Sequence, residues 1–308
     1  MTTNRLRLLV TGAAGFIGFH AADLATARGY DVHGVDLTSA SGRMPDGVCD
    51  HRVAEGGLPG IIAELRPDIC IHAAGRASVG ESVIDPAPDF ASGPTLTFAL
   101  IDTLRRYYPR CRTLFLSSAA VYGNPEKLPV REDAPAAPIS PYGFHKRQSE
   151  LLCREFTDIY GMKTAVARIF SAYGEGLRRQ VLWDICRKGL IEGRLLLHGT
   201  GAETRDFLHV RDIAVGLMQI VEGAPMGGET YNLASGHAVS VGDLATMAMS
   251  ALGVDIEPEF DGWVPVGDPC YWCADISKIS ALGFLPAIPL TAGVGSYAQW
   301  ARQQLVTR

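Results

Sequence analysis

The sequence predicts an α/β fold built on a doubly wound parallel sheet, and three observations support this prediction. Short apolar runs alternate with longer helical stretches through the first 170 residues. The runs are almost continuously apolar, which is typical of parallel strands buried on both faces. The chain has 308 residues, of which 47% are hydrophobic, so it can form one large sheet and a smaller second lobe.

The predicted elements follow in chain order. Strands are expected at Leu6–Val10, Asp31–Asp36, Asp68–His72, Thr113–Ser117 and Lys163–Ile169. Helices are expected between them at Phe16–Arg28, Thr95–Tyr108 and Gly143–Tyr160. After residue 170, Gly- and Pro-rich turns separate only two helical stretches, Val210–Val221 and Val241–Leu252. We therefore expect a nucleotide-binding domain over residues 1–170, with residues 207–235 packing back on it, and a smaller α/β lobe formed mainly by residues 171–308.

Composition and charge argue against several classes of protein. The net charge is −5 and no run of Lys and Arg occurs, so no nucleic-acid partner is expected. No apolar stretch approaches the roughly 18 residues of a membrane span, and "MTTNRLRLLV" runs into a strand instead of forming a signal peptide. The seven cysteines are scattered and odd in number, which favours the reducing cytoplasm. Cys270 and Cys273 form a lone CxxC without a second pair, so we expect ordinary thiols and no metal site.

The stretch "LLVTGAAGFIGFH" has the pattern of a dinucleotide-binding turn. Gly12, Gly15 and Gly18 follow a strand at intervals of three and lead into a helix, whose first turn also carries Phe16 and Ile17. Glycine lets the backbone approach a pyrophosphate, and the helix N-terminus supplies N–H donors. Asp36, at the end of the second strand, suits a ribose diol and would repel a 2′-phosphate, which favours NAD over NADP. The alternative is that the glycines only shape a tight turn.

Two further stretches have the residues for proton transfer. In "SPYGFHKRQSE", Tyr142 and Lys146 lie four residues apart on one helix face. A lysine one turn away, together with a positive nicotinamide ring, would favour the phenolate and make Tyr142 a general base. Ser118 in "SSAAVYG" ends a predicted parallel strand, where it can bond the same substrate hydroxyl. Taken alone, the Tyr and Lys pair could instead be a solvated helix face.

Together these motifs resemble the extended short-chain dehydrogenase/reductase family, specifically its nucleotide-sugar epimerases and dehydratases, which have a Rossmann-type sheet. The segments "TGAAGFIG", "SSAAVYG", "PYGFHK" and "TRDFLHVRDIA" occur in the family's order. The segment "HAAGRASVGESVIDP" is especially similar to the UDP-galactose 4-epimerases. The resemblance implies an NAD site that also includes Ala73, Ala74, Gly75, Arg76 and Ser117 beside Tyr142 and Lys146. It implies a substrate site that includes Val79, Glu81, Ser82, Ser118, Ala119, Ala120, Ser171, Gln180, Val181, His198 and Arg205.

Several positions depart from the family pattern. Ala119 and Ala120 stand where the 4,6-dehydratases carry an Asp-Glu pair, and alanine can neither donate nor accept a proton. Ser171 replaces the usual asparagine, and Pro265 replaces an arginine that contacts the diphosphate. Arg178 and Arg179 in "GLRRQ" either substitute for that arginine or belong to a solvated turn.

The sequence therefore predicts an NAD-dependent nucleotide-sugar 4-epimerase, an isomerase acting on a UDP-sugar. The alternatives are a 4-keto-sugar reductase and a catalytically idle NAD-binding regulator. The resemblance also implies a homodimer, in which the helices Thr95–Tyr108 and Gly143–Tyr160 form a four-helix bundle with their copies. A cytoplasmic role in cell-surface polysaccharide biosynthesis is the expected setting.

Overall fold

The computed structural model describes residues 5–39, 42–54 and 57–306. Its strands are β1 Arg7–Thr11, β2 Asp31–Leu37, β3 Cys49–Val53, β4 Ile69–His72, β5 Arg112–Ser118, β6 Thr164–Ile169, β7 Ser171–Tyr173, β8 Leu195–Leu197, β9 Thr204–His209, β10 Gly227–Leu233, β11 Ala238–Ser240 and β12 Pro258–Phe260. Its helices are α1 Phe16–Ala27, α2 Leu58–Leu65, α3 Val79–Ile84, α4 Pro86–Phe90, α5 Leu96–Tyr107, α6 Pro141–Tyr160, α7 Gln180–Arg187, α8 Val210–Gly223, α9 Val241–Leu252, α10 Ser277–Ser280 and α11 Leu290–Val306.

Seven parallel strands form the central sheet, in the order β10-β6-β5-β4-β1-β2-β3. The chain runs outward from β1 to β3 and then returns to β4 on the other side of β1. This reversal opens a crevice at the carboxyl ends of β1 and β4, the place where doubly wound sheets bind ligands. The predicted doubly wound parallel sheet is confirmed.

The two faces of the sheet bury alternate residues of the same strands. Leu8 and Val10 of β1 face a core with α1 and α8, whereas Leu9 between them faces a core with α2, α5 and α6. Because both faces are covered, the strands read as continuous apolar runs, and β6 is buried along its whole length. The edge strand β3 was not predicted, because its sequence CDHRV is polar and mostly half-exposed.

A smaller lobe lies at the carboxyl edge of the sheet. It contains the three-stranded sheet β11-β9-β7 and the parallel pair β12-β8. The helices α7, α9 and α11 enclose its apolar core. The prediction of only two helices beyond residue 170 was wrong, because α7, α10 and α11 also form there. The chain returns from this lobe to the large sheet through α8 and β10, which pairs with β6.

The start of α6 shows how local chemistry sets an element's boundary. The helix begins at Pro141, two residues earlier than predicted, because the Ser140 side chain accepts a hydrogen bond of 3.2 Å from the Gly143 N–H. Proline suits the first helical turn, where its missing N–H would have no partner. Within the described ranges, no helix is both long enough and apolar enough to cross a bilayer.

Candidate active site

The glycine turn between β1 and α1 brings two loops into near contact. Gly12 has a φ of +71°, and a Cβ on it would lie 2.7 Å from the backbone of Ala74, which follows β4. A Cβ on Gly18 would lie 2.1 Å from the Gly12 carbonyl oxygen, so α1 packs directly on the turn. Gly15 caps α1 without a side-chain hydrogen bond, which leaves its first N–H groups free to bind an anion.

Asp36 lies beside this turn at the end of β2. Its Oδ2 accepts a hydrogen bond of 2.8 Å from the Ala14 N–H, and its Oδ1 accepts one of 2.8 Å from the Leu37 N–H. The carboxylate is therefore fixed next to the glycine turn, where a ribose diol would meet it. A turn that excludes Cβ atoms, open helix N–H groups and this carboxylate together fit NAD.

The loop after β4 forms the facing wall of the crevice. The Ala73 N–H donates to the Thr11 carbonyl at 3.1 Å, and the Ala74 N–H donates to Thr11 Oγ1 at 3.3 Å. Gly75 has a φ of +136°. Arg76 is exposed and its guanidinium lies 4.0 Å from the Glu81 carboxylate. The predicted NAD-contacting segment is thus held against the end of β1.

Behind this wall lies a histidine that the sequence analysis did not single out. His72, at the end of β4, is buried and its Nδ1 lies 2.7 Å from Thr11 Oγ1. Its Nε2 lies 3.2 Å from Thr97 Oγ1. Burial, with a smaller effect of the Lys146 charge, lowers the pKa of His72 to about 3. The sequence feature that could have identified His72 is its position as a polar residue at the end of an apolar strand.

The structure brings Ser118, Tyr142 and Lys146 together. Ser118 ends β5, and its Oγ accepts a hydrogen bond of 3.2 Å from the Ala120 N–H. The Ser118 hydroxyl lies close enough to Tyr142, the second residue of α6, to lower the pKa of its phenol. The Lys146 ammonium lies 5.7 Å from the Tyr142 ring centroid and donates to the Leu116 carbonyl at 2.9 Å.

Burial and neighbouring groups shift the pKa values of these residues. The pKa of Tyr142 is raised to about 12, chiefly by burial; the Ser118 hydroxyl and the Arg179 charge oppose this effect, and the Asp89 charge adds to it. Burial also lowers the pKa of Lys146 to about 8. The expected stabilisation of the Tyr142 phenolate by Lys146 together with a nicotinamide ring stays a prediction.

Ser117, predicted to contact NAD, and Ser82, predicted to contact the substrate, are both buried and form hydrogen bonds within the protein. Ser117 is buried, and its hydroxyl donates to Glu150 Oε1 at 2.7 Å. Ser82 is also buried; its hydroxyl donates to the Val79 carbonyl at 2.7 Å and accepts from the Tyr142 N–H at 3.1 Å. Ser82 therefore holds the start of α6 and does not face the crevice.

Glu150 was missed by the sequence analysis, although it lies at the centre of a buried ion network. Its carboxylate accepts two hydrogen bonds from Arg168, at 2.9 and 2.8 Å, and one of 3.0 Å from Arg147. The hydrogen bonds from Arg168 hold the pKa of Glu150 below its usual range despite burial. The network fixes α6 against β5 and β6, which keeps Tyr142 and Lys146 in place.

Several other predicted substrate residues lie at or near the carboxyl ends of the strands, and some of them pack beside Tyr142. Ala119 and Ala120 are buried in the turn after β5 and pack in one apolar cluster with Tyr142 and Trp272. Val79 begins α3 and packs in the same region. Ser171 begins β7 and is half-buried. The alanines place no acid or base in this wall.

The three predicted arginines of the smaller lobe have different surroundings. The Arg205 side chain is 12% exposed, lies 5.5 Å from the Trp272 ring centroid and pairs with Asp268 at 3.4 Å. Arg178 hydrogen-bonds Gln304 and lies over the Trp300 ring, so it points to α11. Arg179 is exposed, and its charge reaches the Tyr142 phenol. The structure therefore separates Arg178 from the crevice and leaves Arg179 near it.

The remaining predicted residues lie at the border of the smaller lobe. Gln180 starts α7 with a φ of +68°, and Val181 packs against the lobe core. His198 is exposed; its Nδ1 lies 2.7 Å from Asp261 Oδ2, and its ring meets Trp263 edge-to-face at 4.7 Å. All seven cysteines are free thiols. In the part of the chain that the structure describes, no three His, Cys, Asp or Glu side chains gather as metal ligands would.

A family profile matches this chain, and known proteins are similar to it along nearly its whole length. The profile of the NAD dependent epimerase/dehydratase family matches residues 8–234. A UDP-glucose 4-epimerase of Mycolicibacterium smegmatis is 29% identical, over 97% of this chain and 99% of its own. A dTDP-glucose 4,6-dehydratase of an Actinoplanes species is also 29% identical, over 96% of this chain and 98% of its own. The crystal structure of a UDP-glucose 4-epimerase from Thermotoga maritima with UDP-glucose superposes with a TM-score of 0.89 and 28% identity, over 97% of this chain and 100% of that chain.

Proposed function

Because the chain belongs to the NAD-dependent epimerase/dehydratase family, we propose that it is a nucleotide-sugar 4-epimerase that uses NAD. The observation that carries this proposal is the group of Ser118, Tyr142 and Lys146 at the sheet edge, next to a glycine turn that fits the cofactor. We propose a UDP-sugar of the glucose and galactose type as substrate, since the relatives with that activity match along nearly the whole chain. The reaction is then an isomerisation without net redox change.

The chain's own residues account for the proton transfers. Tyr142 takes the proton from the C4 hydroxyl, and Ser118 hydrogen-bonds the same oxygen and holds it in line. NAD, when bound, supplies reversible hydride transfer at C4. The positive charge of Arg179 lowers the pKa of the Tyr142 phenol, which burial raises. The Lys146 ammonium, 5.7 Å from the ring centroid, would together with the nicotinamide ring further favour the phenolate. Trp272 and Phe170, packed beside Tyr142, limit water around it.

Ala119 and Ala120 favour epimerisation over dehydration. A 4,6-dehydration needs one group that protonates the leaving hydroxyl and another that removes the C5 proton. The two alanines offer neither, and both are buried behind Tyr142. This turn therefore does not supply the acid and the base of a dehydration, although the chain is similar to a dTDP-glucose 4,6-dehydratase.

Two other functions remain distinguishable from the proposed one. A 4-keto-sugar reductase would use the same three residues but consume external reduced cofactor, and Asp36 disfavours NADPH. A regulator that only binds NAD would not need Ser118, Tyr142 and Lys146 in contact range, which makes it the weaker alternative.

The test is incubation of the purified protein with UDP-, dTDP-, GDP- and CDP-sugars, followed by NMR. We expect inversion at C4 of a UDP-sugar, with NAD released on denaturation and no net consumption of NADH. Stoichiometric oxidation of NADH with a 4-keto sugar would instead identify a reductase. NAD binding without turnover of any sugar would identify a regulator.

We also propose that the enzyme works as a homodimer in the cytoplasm, in the synthesis of cell-surface polysaccharide. Large apolar side chains stay exposed on the two helices expected to form the bundle: Phe98, Tyr107, Phe144, Leu151, Ile159 and Tyr160. Burying them against a second copy would remove apolar surface from water. The seven free thiols suit a reducing compartment. In this proposal residues 1–170 and 207–235 bind NAD, and the rest of residues 171–308 binds the nucleotide sugar.

A further inference from the structure

A buried carboxylate lies close to the catalytic helix and is not used by the proposed mechanism. Asp89, in α4, is 4% exposed. Its Oδ2 lies 2.5 Å from Nδ1 of His145, which stands between Tyr142 and Lys146 on α6. The His145 ring also meets the Phe90 ring edge-to-face at 5.3 Å. An apolar contact on one side and an ion pair on the other fix the ring in one orientation.

The hydrogen bond defines the protonation of the pair. An ionised carboxylate can only accept, so the proton lies on His145 Nδ1. The Asp89 carboxylate thus brings a negative charge close to the start of α6.

The other titratable groups near Lys146 and Tyr142 either form ion pairs or lie on other elements. Glu150, one turn further along α6, is bound by Arg168 and Arg147. Arg179, before α7, supplies positive charge to Tyr142, and His72 of β4 is neutral because burial lowers its pKa to about 3. Asp89 thus differs from Glu150, because its carboxylate is bound by a histidine and not by arginines.

We propose that Asp89 and His145 are positioning residues that keep the Lys146 ammonium charged beside Tyr142 and so set the pH range in which Tyr142 acts. The inference rests on the proposed function for its catalytic meaning. Asp89 lies on α4 and the residues that it influences lie on α6, so the pair also fixes the distance between these helices. A hydrogen bond that only joined two helices would not need a buried charge.

The direction of the electrostatic effect follows from the charge of Asp89. Its carboxylate raises the pKa of Lys146 against the larger lowering by burial, and it also raises the pKa of Tyr142. Removing the charge while keeping the shape should therefore lower both pKa values. The pH profile of turnover, which depends on both groups, should move to lower pH as a whole.

The test is a pH titration of the five lysines in the full-length protein, labelled with carbon-13 at Cε and observed by NMR. Loss of one signal in Lys146→Arg assigns Lys146. We expect Asp89→Asn to lower the midpoint of the Lys146 titration by about one pH unit, the usual effect of a nearby opposite charge. We expect His145→Gln, which keeps an N–H donor and leaves the Asp89 charge uncompensated, not to lower it.

The controls separate this inference from a loss of structure and from a wrong function. Asp158→Asn removes a carboxylate from an exposed pair with Arg154 on the same helix and should leave the Lys146 midpoint unchanged. An unchanged midpoint in Asp89→Asn, or an equal lowering in Asp89→Asn and His145→Gln, would overturn the inference. The titration needs no turnover, so it can succeed even if no sugar is epimerised. With turnover, the pH profile of Asp89→Asn should shift down and that of His145→Gln should not.

Discussion

The NAD side and the substrate side of the crevice are built in different ways. On the NAD side, Gly12, Gly18 and Asp36 lie within one β-α-β stretch, and backbone geometry holds them. On the proposed substrate side, Arg179 and Arg205 come from a lobe of short strands, and Arg205 pairs with Asp268, which is distant in the chain. On the NAD side, the backbone geometry restricts which residues can occupy these positions. On the proposed substrate side, single arginines can be replaced or reoriented without a change of fold.

Tyr142, the proposed general base, lies where the two sides meet, so its loss should have the largest effect. We expect Tyr142→Phe to lower kcat by about 10²–10⁴-fold, the usual contribution of a general base, with NAD content and fold intact. Steady-state kinetics with a UDP-sugar measure this effect. Tyr160→Phe, at the exposed end of the same helix, should remain near wild type. Near-wild-type turnover in Tyr142→Phe would remove Tyr142 from the mechanism.

Arg205 tests the substrate side directly. A nucleotide diphosphate brings negative charge into a protein whose net charge is already −5, so local guanidinium groups must bind it. Charge-assisted hydrogen bonds are worth roughly 1.5–3 kcal/mol each, so we expect Arg205→Ala to raise KM by about 10- to 100-fold with a smaller change in kcat. Arg194→Ala, which breaks an exposed pair with Glu259, is the matched control. Equal KM values for the two variants would place the diphosphate elsewhere.

Asp36 tests the NAD side. We expect NAD to bind better than NADP, and we expect Asp36→Asn to reduce this preference roughly tenfold, because the like-charge contact with a 2′-phosphate is lost. Calorimetry on cofactor-stripped protein measures both affinities. Asp31→Asn, at the opposite end of β2, should keep the wild-type ratio. Equal affinities of the wild-type protein for the two cofactors would contradict the role of Asp36.

The smallest effect should distinguish the two neighbouring arginines. The Arg179 charge lowers the pKa of Tyr142, so Arg179→Ala should raise it and move the acid limb of the pH–rate profile up by about half a unit, as for an exposed charge. Arg178→Ala should leave the profile unchanged, because that side chain contacts Gln304 and Trp300. A shift of equal size in both variants would mean that they act together.

The sequence predicted the strand, glycine turn and helix of the NAD side because their signals are local. A strand, a glycine turn and a helix N-terminus lie within 21 consecutive residues, from Arg7 to Ala27, and each glycine excludes a Cβ for a reason visible in the motif. Ser118, Tyr142 and Lys146 could be singled out together because each lies at a recognisable strand end or helix start. Their pKa values were not, because these depend on burial and on Asp89, which comes from another helix.

The elements and contacts that were not predicted either have a weak local sequence pattern or depend on residues that are distant in the chain. The helix α11 contains Gly293, which weakens any helical pattern. The glycine is needed because a Cβ there would lie 2.1 Å from the Tyr173 hydroxyl. In the same way, His145 and Asp89 lie 56 residues apart. Only the folded chain brings such residues together.

The return of β10 to the large sheet has a consequence for how the chain can be divided and synthesised. Strand β6 is buried along its whole length, and β10, which covers its outer edge, is made more than 50 residues later. A fragment ending at residue 170 would expose the unpaired edge of β6 and leave the core beneath α8 open, a surface prone to pair with other chains. During synthesis on the ribosome, this edge of β6 stays unpaired until residues 227–233 have been translated. The large sheet is therefore completed only after the first part of the smaller lobe has also been made.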